Sequence, residues 1–175
     1  MLRFFQMVLI SLVLAGCAIK PSIDDPKLSD RELDLVEFFE GRTTAHGQFQ
    51  DVLGNVSRRF EVDIKGSWNG SELVLVEDFV YSDNTTEQRI WTLTPKGDGA
   101  WTGTAAGVIG EATGQIKGDM FYWTYTIDLP LPDGPMRVTF DDYMWSLSDK
   151  RVLNIAYMSK YGFPLGQVTI FFEKE

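Results

Sequence analysis

Three charged residues, Glu77, Arg89 and Asp142, occupy positions at which strand alternation predicts side chains that face an apolar core. Burying a charge without a partner costs several kcal/mol, so each of the three needs one. Two carboxylates and one guanidinium on different strands can satisfy one another, which predicts a buried polar network of Glu77, Arg89 and Asp142. The apolar neighbours that define these faces are Leu73, Leu75, Phe79, Trp91, Leu93, Phe140 and Met144.

The same residues admit a ligand-binding interpretation. Arg89 carries a planar guanidinium that can bind a carboxylate or a phosphate through two hydrogen bonds. In this hypothesis Arg89, with Asn154 and either Tyr81 or Tyr143, receives the polar head of an amphipathic ligand. An aromatic stripe on one strand face, together with Trp91, then holds the apolar tail. The stripe consists of Phe121, Trp123, Tyr125 and Ile127. Packing of these aromatic rings into a solid core is the simpler alternative.

Catalytic chemistry has few candidate residues. Asp141 and Asp142 are adjacent in a predicted strand, so they point to opposite faces and cannot act together as acid and base. The chain has one histidine, His46, and one cysteine, Cys17, so it lacks a zinc ligand set. We therefore predict no catalytic residues, no metal and no cofactor. Glu77 and Asp142, if they face each other across an interior, are the one pair of carboxyl groups left that could act as acid and base in an enzyme.

Cys17 predicts a covalent lipid anchor. Arg3 precedes an apolar run over residues 4–14 that is too short to span a bilayer, and Ala15 and Gly16 are the small residues that a signal peptidase needs. In sequences with such a lipobox the cysteine becomes the acylated N-terminus. The residue after Cys17 is Ala18, and not the aspartate that favours retention in the inner membrane. We therefore expect the protein to be anchored at the periplasmic face of the outer membrane.

The chain divides into three predicted parts. Residues 1–16 are a signal peptide, residues 17–28 are a lipidated tether with two prolines, and residues 29–175 form one domain. A helix is predicted to begin near Ser29, with Glu32 three positions later, and to end at Gly41. Beyond Gly41 the apolar period changes to two.

Alternation and turn signals predict an all-β domain. Residues 57–65 alternate clearly, and Asn69-Gly70 supplies a hairpin turn into residues 72–81. Eight to ten short strands joined by tight turns, after one short helix, indicate an antiparallel up-and-down β-barrel. Such a barrel is filled by side chains or holds one small ligand. The further strands are predicted at about 86–94, 100–106, 108–117, 120–128, 136–146, 151–159 and 165–174.

The composition excludes one class of partner. The 175-residue chain has a net charge of −9, and 13% of its residues are aromatic. An acidic protein is repelled by the phosphate backbone of nucleic acids, so no nucleic-acid partner is expected.

Several segments taken together resemble the bacterial lipoprotein family known as domain of unknown function 3833. The resemblance implies a lipocalin-type barrel and brings no established activity. The segments are FFEG at 38–41, EDFVYSD at 77–83, RIW at 89–91, FDD at 140–142, MSKYG at 158–162 and VTIFF at 168–172.

Two functional hypotheses follow. The first is a non-enzymatic barrel, anchored in the outer membrane through acylated Cys17, that binds or shuttles a fatty acid, a phospholipid or another apolar molecule. The second is an interaction protein with a solid core that docks on a protein partner in the cell envelope. A lipid-modifying enzyme that uses Glu77 and Asp142 is a third alternative.

Overall fold

A computed structural model describes residues 20–25, 29–130 and 134–175 of the chain. Its ten strands form one closed barrel in which every strand is antiparallel to both neighbours, and β1 closes the barrel against β10. The predicted up-and-down barrel with a short N-terminal helix is confirmed. The elements are α1 (Leu35–Phe39), β1 (Gly41–Asp51), β2 (Val56–Trp68), β3 (Leu73–Tyr81), β4 (Thr86–Gly97), β5 (Ala100–Thr104), β6 (Ala112–Lys117), β7 (Met120–Leu129), β8 (Met136–Ser148), β9 (Arg151–Lys160) and β10 (Phe163–Lys174).

Period-two alternation places the core inside the barrel. Phe60, Val62 and Ile64 of β2 are buried, whereas Glu61 between them and Lys65 after them are exposed. The same pattern repeats in the other long strands, because successive side chains of a strand point to opposite faces. Inward side chains therefore converge on a single interior.

Helix α1 lies at one end of the barrel and closes it. Its side chains Leu35, Phe38 and Phe39 are buried, and the ring of Phe39 packs edge-on against Phe172 with 5.7 Å between centroids. The Lys174 ammonium donates hydrogen bonds to the carbonyl oxygens of Glu37 (2.6 Å), Phe38 (3.2 Å) and Glu40 (2.8 Å), which satisfies carbonyl groups at the helix C-terminus. We call this the closed end of the barrel.

The helix begins later than the sequence predicts. Its N-cap is Asp34, whose carboxylate accepts a hydrogen bond of 2.9 Å from the backbone N–H of Glu37. Ser29, the predicted cap, instead donates to Asp119 in the turn between β6 and β7. The predicted strand 108–117 is also shorter, because Gly107 and Gly110 adopt positive φ angles and Val108 makes only an isolated bridge.

Part of the predicted tether lies against the barrel wall. Lys20 forms a 2.6 Å ion pair with Asp141 of β8, and Asp24 pairs with Lys117 of β6 at 2.5 Å. The ammonium of Lys20 also lies 5.9 Å from the ring centre of Tyr157. Cys17, the predicted signal peptide and residues 26–28 lie outside the described residues.

Candidate functional site

The barrel interior contains a cavity of about 370 Å³. Leu35 and Phe39 of α1 form its base at the closed end. Ser57 and Pro130, which line the cavity and are exposed to solvent, mark an opening at the opposite end. We call this the open end. Cavities of a few hundred cubic ångströms are of the size that holds a small organic ligand.

The predicted aromatic stripe forms a large part of the cavity wall. Trp91 of β4 contacts Trp123 and Tyr125 of β7 across the interior, with ring centroids 5.8 and 5.1 Å apart. Tyr125 stacks on Phe140 at 5.2 Å. All four rings line the cavity, so they pack against one another and still leave a void.

Two glycines make room for the indole of Trp123. A Cβ atom at Gly114 would lie 2.5 Å from that ring, and a Cβ atom at Gly103 would lie 3.0 Å from it. Both glycines lie in the short strands β5 and β6, and a glycine in a strand often marks a place where another group approaches the backbone closely.

Arg89 is paired with a carboxylate that the sequence analysis did not single out. Its guanidinium donates a 2.7 Å hydrogen bond to Glu87, two residues earlier on the same face of β4. Glu87 also accepts a 2.8 Å hydrogen bond from the hydroxyl of Tyr81. Glu87 and Arg89 are two residues apart in one strand, so both side chains point into the barrel. This spacing is the sequence signal that could have identified the pair.

Asp142 belongs to a second polar pair, with Asn154. The side-chain amide of Asn154 donates to Asp142 at 3.1 Å and to the carbonyl oxygen of Tyr143 at 3.4 Å. Both side chains are buried, Asn154 completely. The second carboxylate oxygen of Asp142 and the amide oxygen of Asn154 have no hydrogen-bond partner among the described residues.

Glu77 stands apart from both pairs. It lies directly opposite Arg89 in the register of β3 and β4 and lines the cavity, yet it makes no hydrogen bond or ion pair with another described residue. The three residues of the predicted network therefore share one interior without forming direct bonds to one another.

Burial alters the acidity of the interior carboxyls. Desolvation, with smaller effects from Asp142 and Glu87, raises the pKa of Glu77 to about 7 despite the opposing charge of Arg89. Desolvation also raises the pKa of Asp142 to about 7, against the hydrogen bond from Asn154. The pKa of the Tyr125 hydroxyl lies well above its usual value because the ring is buried near Asp142.

One predicted ligand residue faces the wrong way. Tyr143 is buried on the outer side of β8, where its ring packs near Tyr122 (5.1 Å), Tyr157 (5.8 Å) and Trp145 (6.2 Å). It cannot reach the cavity, because its strand neighbours Asp142 and Met144 are the inward residues. The other candidates, Tyr81, Arg89, Trp91, Trp123, Tyr125 and Asn154, all line the cavity.

Arg58 is a second residue that the sequence analysis missed. Its guanidinium lies 3.5 Å from the ring centre of Tyr81, near the open end, and it donates to Asp83 at 3.1 Å. It therefore covers the ring of Tyr81, whose hydroxyl donates to Glu87.

Residues 11–174 match the family described as "Protein of unknown function (DUF3833)". The chain belongs to this family. A search of curated proteins finds no match. Among solved structures, the DUF3833 barrel is similar to the S-type phycobiliprotein lyase from Guillardia theta, with a TM-score of 0.63 and 8% identity over 86% of this chain and 98% of that one. At this identity the likeness concerns the fold, which is lipocalin-like.

Two further observations bear on the DUF3833 site. No group of three or more histidine, cysteine, aspartate or glutamate side chains suited to a metal occurs among the residues with described positions. Within that same part of the chain, no helix has the length and hydropathy to cross a bilayer.

We expect the stability of the DUF3833 barrel to fall as the pH rises from about 4 to about 7. The folded state binds more protons than the unfolded state in this window, because the pKa values of Glu77 and Asp142 are raised. Each group contributes a slope of about 1.4 kcal/mol per pH unit, and the slope disappears above about pH 7. Urea unfolding across this range measures the effect.

The double variant Glu77→Gln and Asp142→Asn is the control for this pH dependence. Its free energy of unfolding should vary much less between pH 4 and 7, because the amides do not titrate. A wild-type protein whose stability rises with pH in this window would contradict the assignment of raised pKa values to these carboxyls.

Proposed function

We propose that this DUF3833 barrel binds a small, mostly apolar molecule in its interior and releases it unchanged. The cavity of about 370 Å³, walled by Trp91, Trp123 and Tyr125, is the observation that carries the proposal. A core packed only for stability leaves few voids larger than a water molecule. The similarity in fold to a phycobiliprotein lyase supports binding, and it keeps an enzymatic role open to test.

Native mass spectrometry of gently purified protein tests this function. We expect the spectrum to show a bound molecule, and an apolar fluorescent probe should displace it. The mass of the released molecule should be the same before and after incubation with the barrel. An empty barrel that also ignores such probes would refute binding. Conversion of the molecule into a product, abolished by Glu77→Gln or Asp142→Asn, would favour the lipid-modifying enzyme instead.

Filling the cavity should weaken binding strongly without unfolding the barrel. Met144 faces the interior and lines the cavity, so the larger side chain of Met144→Trp would occupy ligand space. We expect probe affinity to fall about a hundredfold, which is about 2.7 kcal/mol, as measured by fluorescence titration. The matched control is Leu153→Trp on the outer face of β9, which should bind as wild type does. Equal affinities in the two variants would place the probe outside the cavity.

We further propose that Cys17 is acylated and anchors the barrel at the periplasmic face of the outer membrane. The support is the sequence around Cys17, which combines a short apolar run with small residues before the only cysteine. Mass spectrometry of the mature N-terminus should show acyl chains. Cys17→Ala should prevent acylation, and retention of acyl chains in that variant would refute this anchor.

The alternative of an envelope interaction protein assumed a solid core. The void beside Trp91 and Trp123 removes that assumption and favours the binding function. Crosslinking in cells remains the measurement that would find a protein partner on the outer face.

A further inference from the structure

The cavity lining contains more carboxyl groups than basic groups. Glu77, Glu87 and Asp142 line the interior, whereas Arg89 is the basic side chain that lies between them. Arg58 lines only the open end, where it also bonds to Asp83 and to Thr85 outside the cavity. The guanidinium of Arg89 is already paired with Glu87 at 2.7 Å. Among the described residues of the lining, both basic side chains are therefore already paired with a carboxylate.

Besides the second carboxylate oxygen of Asp142 and the amide oxygen of Asn154, two further polar groups in the lining have no bonding partner among the described residues. Glu77 makes no hydrogen bond with a described residue, although it faces the cavity opposite Arg89. The hydroxyl of Tyr125 likewise forms none, and its ring lines the same cavity. Buried polar groups without partners are rare in folded proteins, and those inside a cavity indicate a place where a ligand supplies the missing bond.

We propose that the ligand carries a hydrogen-bond-donating head group, such as a hydroxyl, an amide or an amine, which donates to Glu77. This inference rests on the proposed function, since it concerns the molecule that the cavity binds. It replaces the carboxylate or phosphate head that the sequence suggested for Arg89. The apolar part of the ligand lies against Trp91, Trp123 and the other rings of the wall.

Electrostatics disfavours the anionic alternative. A carboxylate placed beside Arg89 would lie among three protein carboxyls in a medium of low dielectric, where like charges repel strongly. It would also have to compete with Glu87 for the guanidinium. A donor group meets none of these penalties, because Glu77 can accept a hydrogen bond that it otherwise lacks.

Chain-matched probes test the head group directly. Dodecylamine, dodecanol and dodecanoic acid share one tail and differ only in the head. Binding of each to the full protein at about pH 8 is followed through the fluorescence of the tryptophans that line the cavity. We expect the amine and the alcohol to bind at least about tenfold more tightly than the acid, because a hydrogen bond to a charged group contributes about 1.5–3 kcal/mol.

Variants at neighbouring positions of β3 identify the acceptor. Glu77→Gln should weaken dodecylamine binding about tenfold and leave dodecanoic acid as tight or tighter. Asp78→Asn, which changes the next residue on the outer face, should change neither. Tightest binding of the acid would overturn the donor head group while leaving the cavity function intact. Failure of all three probes to bind would overturn the cavity function itself.

A second, independent observation concerns the outside of the open end. Three large apolar side chains stand almost fully exposed on two neighbouring turns: Leu53 (83% exposed), Tyr161 (86%) and Phe163 (74%). The turns are adjacent because β1 pairs with both β2 and β10. Asp51 accepts a 2.8 Å hydrogen bond from the backbone N–H of Leu53, which fixes the first turn. We call these three residues the apolar rim.

We infer that the apolar rim inserts into the surface of a lipid bilayer. The three side chains project from turn tips, a shape that suits soft lipid better than a flat protein surface, and the ammonium of Lys160 lies 5.7 Å from the ring of Tyr161. The described chain begins at Lys20 on the barrel wall, three residues after Cys17. An acyl anchor at Cys17 would therefore lie within about 10 Å of Lys20, which keeps the barrel close to the lipid.

An environment-sensitive fluorophore on an introduced cysteine tests the position of the rim. In the acylated protein, Phe163→Cys labelled with nitrobenzoxadiazole should shift to the blue when phosphatidylcholine vesicles are added. Leu147→Cys is the matched control, because Leu147 is also exposed but lies beside the turn between β8 and β9 at the closed end. No shift at position 163, or equal shifts at positions 163 and 147, would overturn docking of the apolar rim on lipid. An apolar rim that binds a protein partner and not lipid would give the first of these results.

Discussion

Gly66→Ala is expected to destabilise the barrel by about 3 kcal/mol. A Cβ atom at this position would lie 1.9 Å from the carbonyl oxygen of Phe39 and 2.7 Å from its carbonyl carbon. The obstacle is backbone, so α1 would have to move away from β2, and the buried contacts of Leu35 and Phe39 would be lost. Guanidinium chloride unfolding followed by circular dichroism measures the loss.

The adjacent variant Ser67→Ala is the control for this effect. Ser67 is exposed on the outer face of β2, so its change should alter the free energy of unfolding by less than about 0.5 kcal/mol. The probe affinity of Gly66→Ala should also fall, because α1 forms the base of the cavity. A stable Gly66→Ala protein would show that α1 can shift at little cost.

Glu77→Met is expected to raise the free energy of unfolding by about 1–4 kcal/mol at pH 8. Glu77 is desolvated there and makes no hydrogen bond with a described residue. Folding therefore removes water from a carboxylate without providing a hydrogen bond that compensates for the lost hydration. Methionine has a similar size and no charge, and it suits an irregular apolar cavity. Urea unfolding at this pH gives the comparison.

Arg89→Met separates a structural role from a binding role. Arg89 neutralises Glu87, whose side chain is about one third exposed, so its loss leaves a half-buried carboxylate without its cation and should cost about 1–3 kcal/mol. If Glu77→Met raises the free energy of unfolding and Arg89→Met lowers it, Arg89 is retained for folding and Glu77 for the ligand. A loss of stability in Glu77→Met would instead support the buried polar network as a purely structural device.

Strand alternation was sufficient to predict the barrel and the interior position of most candidate residues. Trp91, Trp123 and Arg89 face inward because each lies two residues from an apolar neighbour in a long regular strand. Strand β1 has no predicted bounds, since its inward residues Thr43, Ala45 and Gly47 are too small or too polar to show an apolar alternation. The helix start was misplaced because Ser29 and Asp34 are both acceptable caps, and only tertiary contacts decide between them.

The pairing of the polar residues could not be predicted from alternation. Alternation assigns a face, whereas the pairs depend on register and on how far each side chain reaches. Arg89 bonds to Glu87 on its own strand rather than to Glu77 opposite it, and Asp142 turns to Asn154. The volume of the cavity depends on side-chain packing from all sides, which a single strand does not reveal.

Closure of the barrel by α1 also has a kinetic consequence. With Leu35 and Phe39 across one end, a molecule bound as we propose would enter and leave by the same passage beside Ser57 and Pro130. Two such molecules could not follow one another through the barrel, so a second would bind only after the first had left. The proposed binding function is thus that of a carrier or store for one molecule at a time, and not that of a conduit between two compartments.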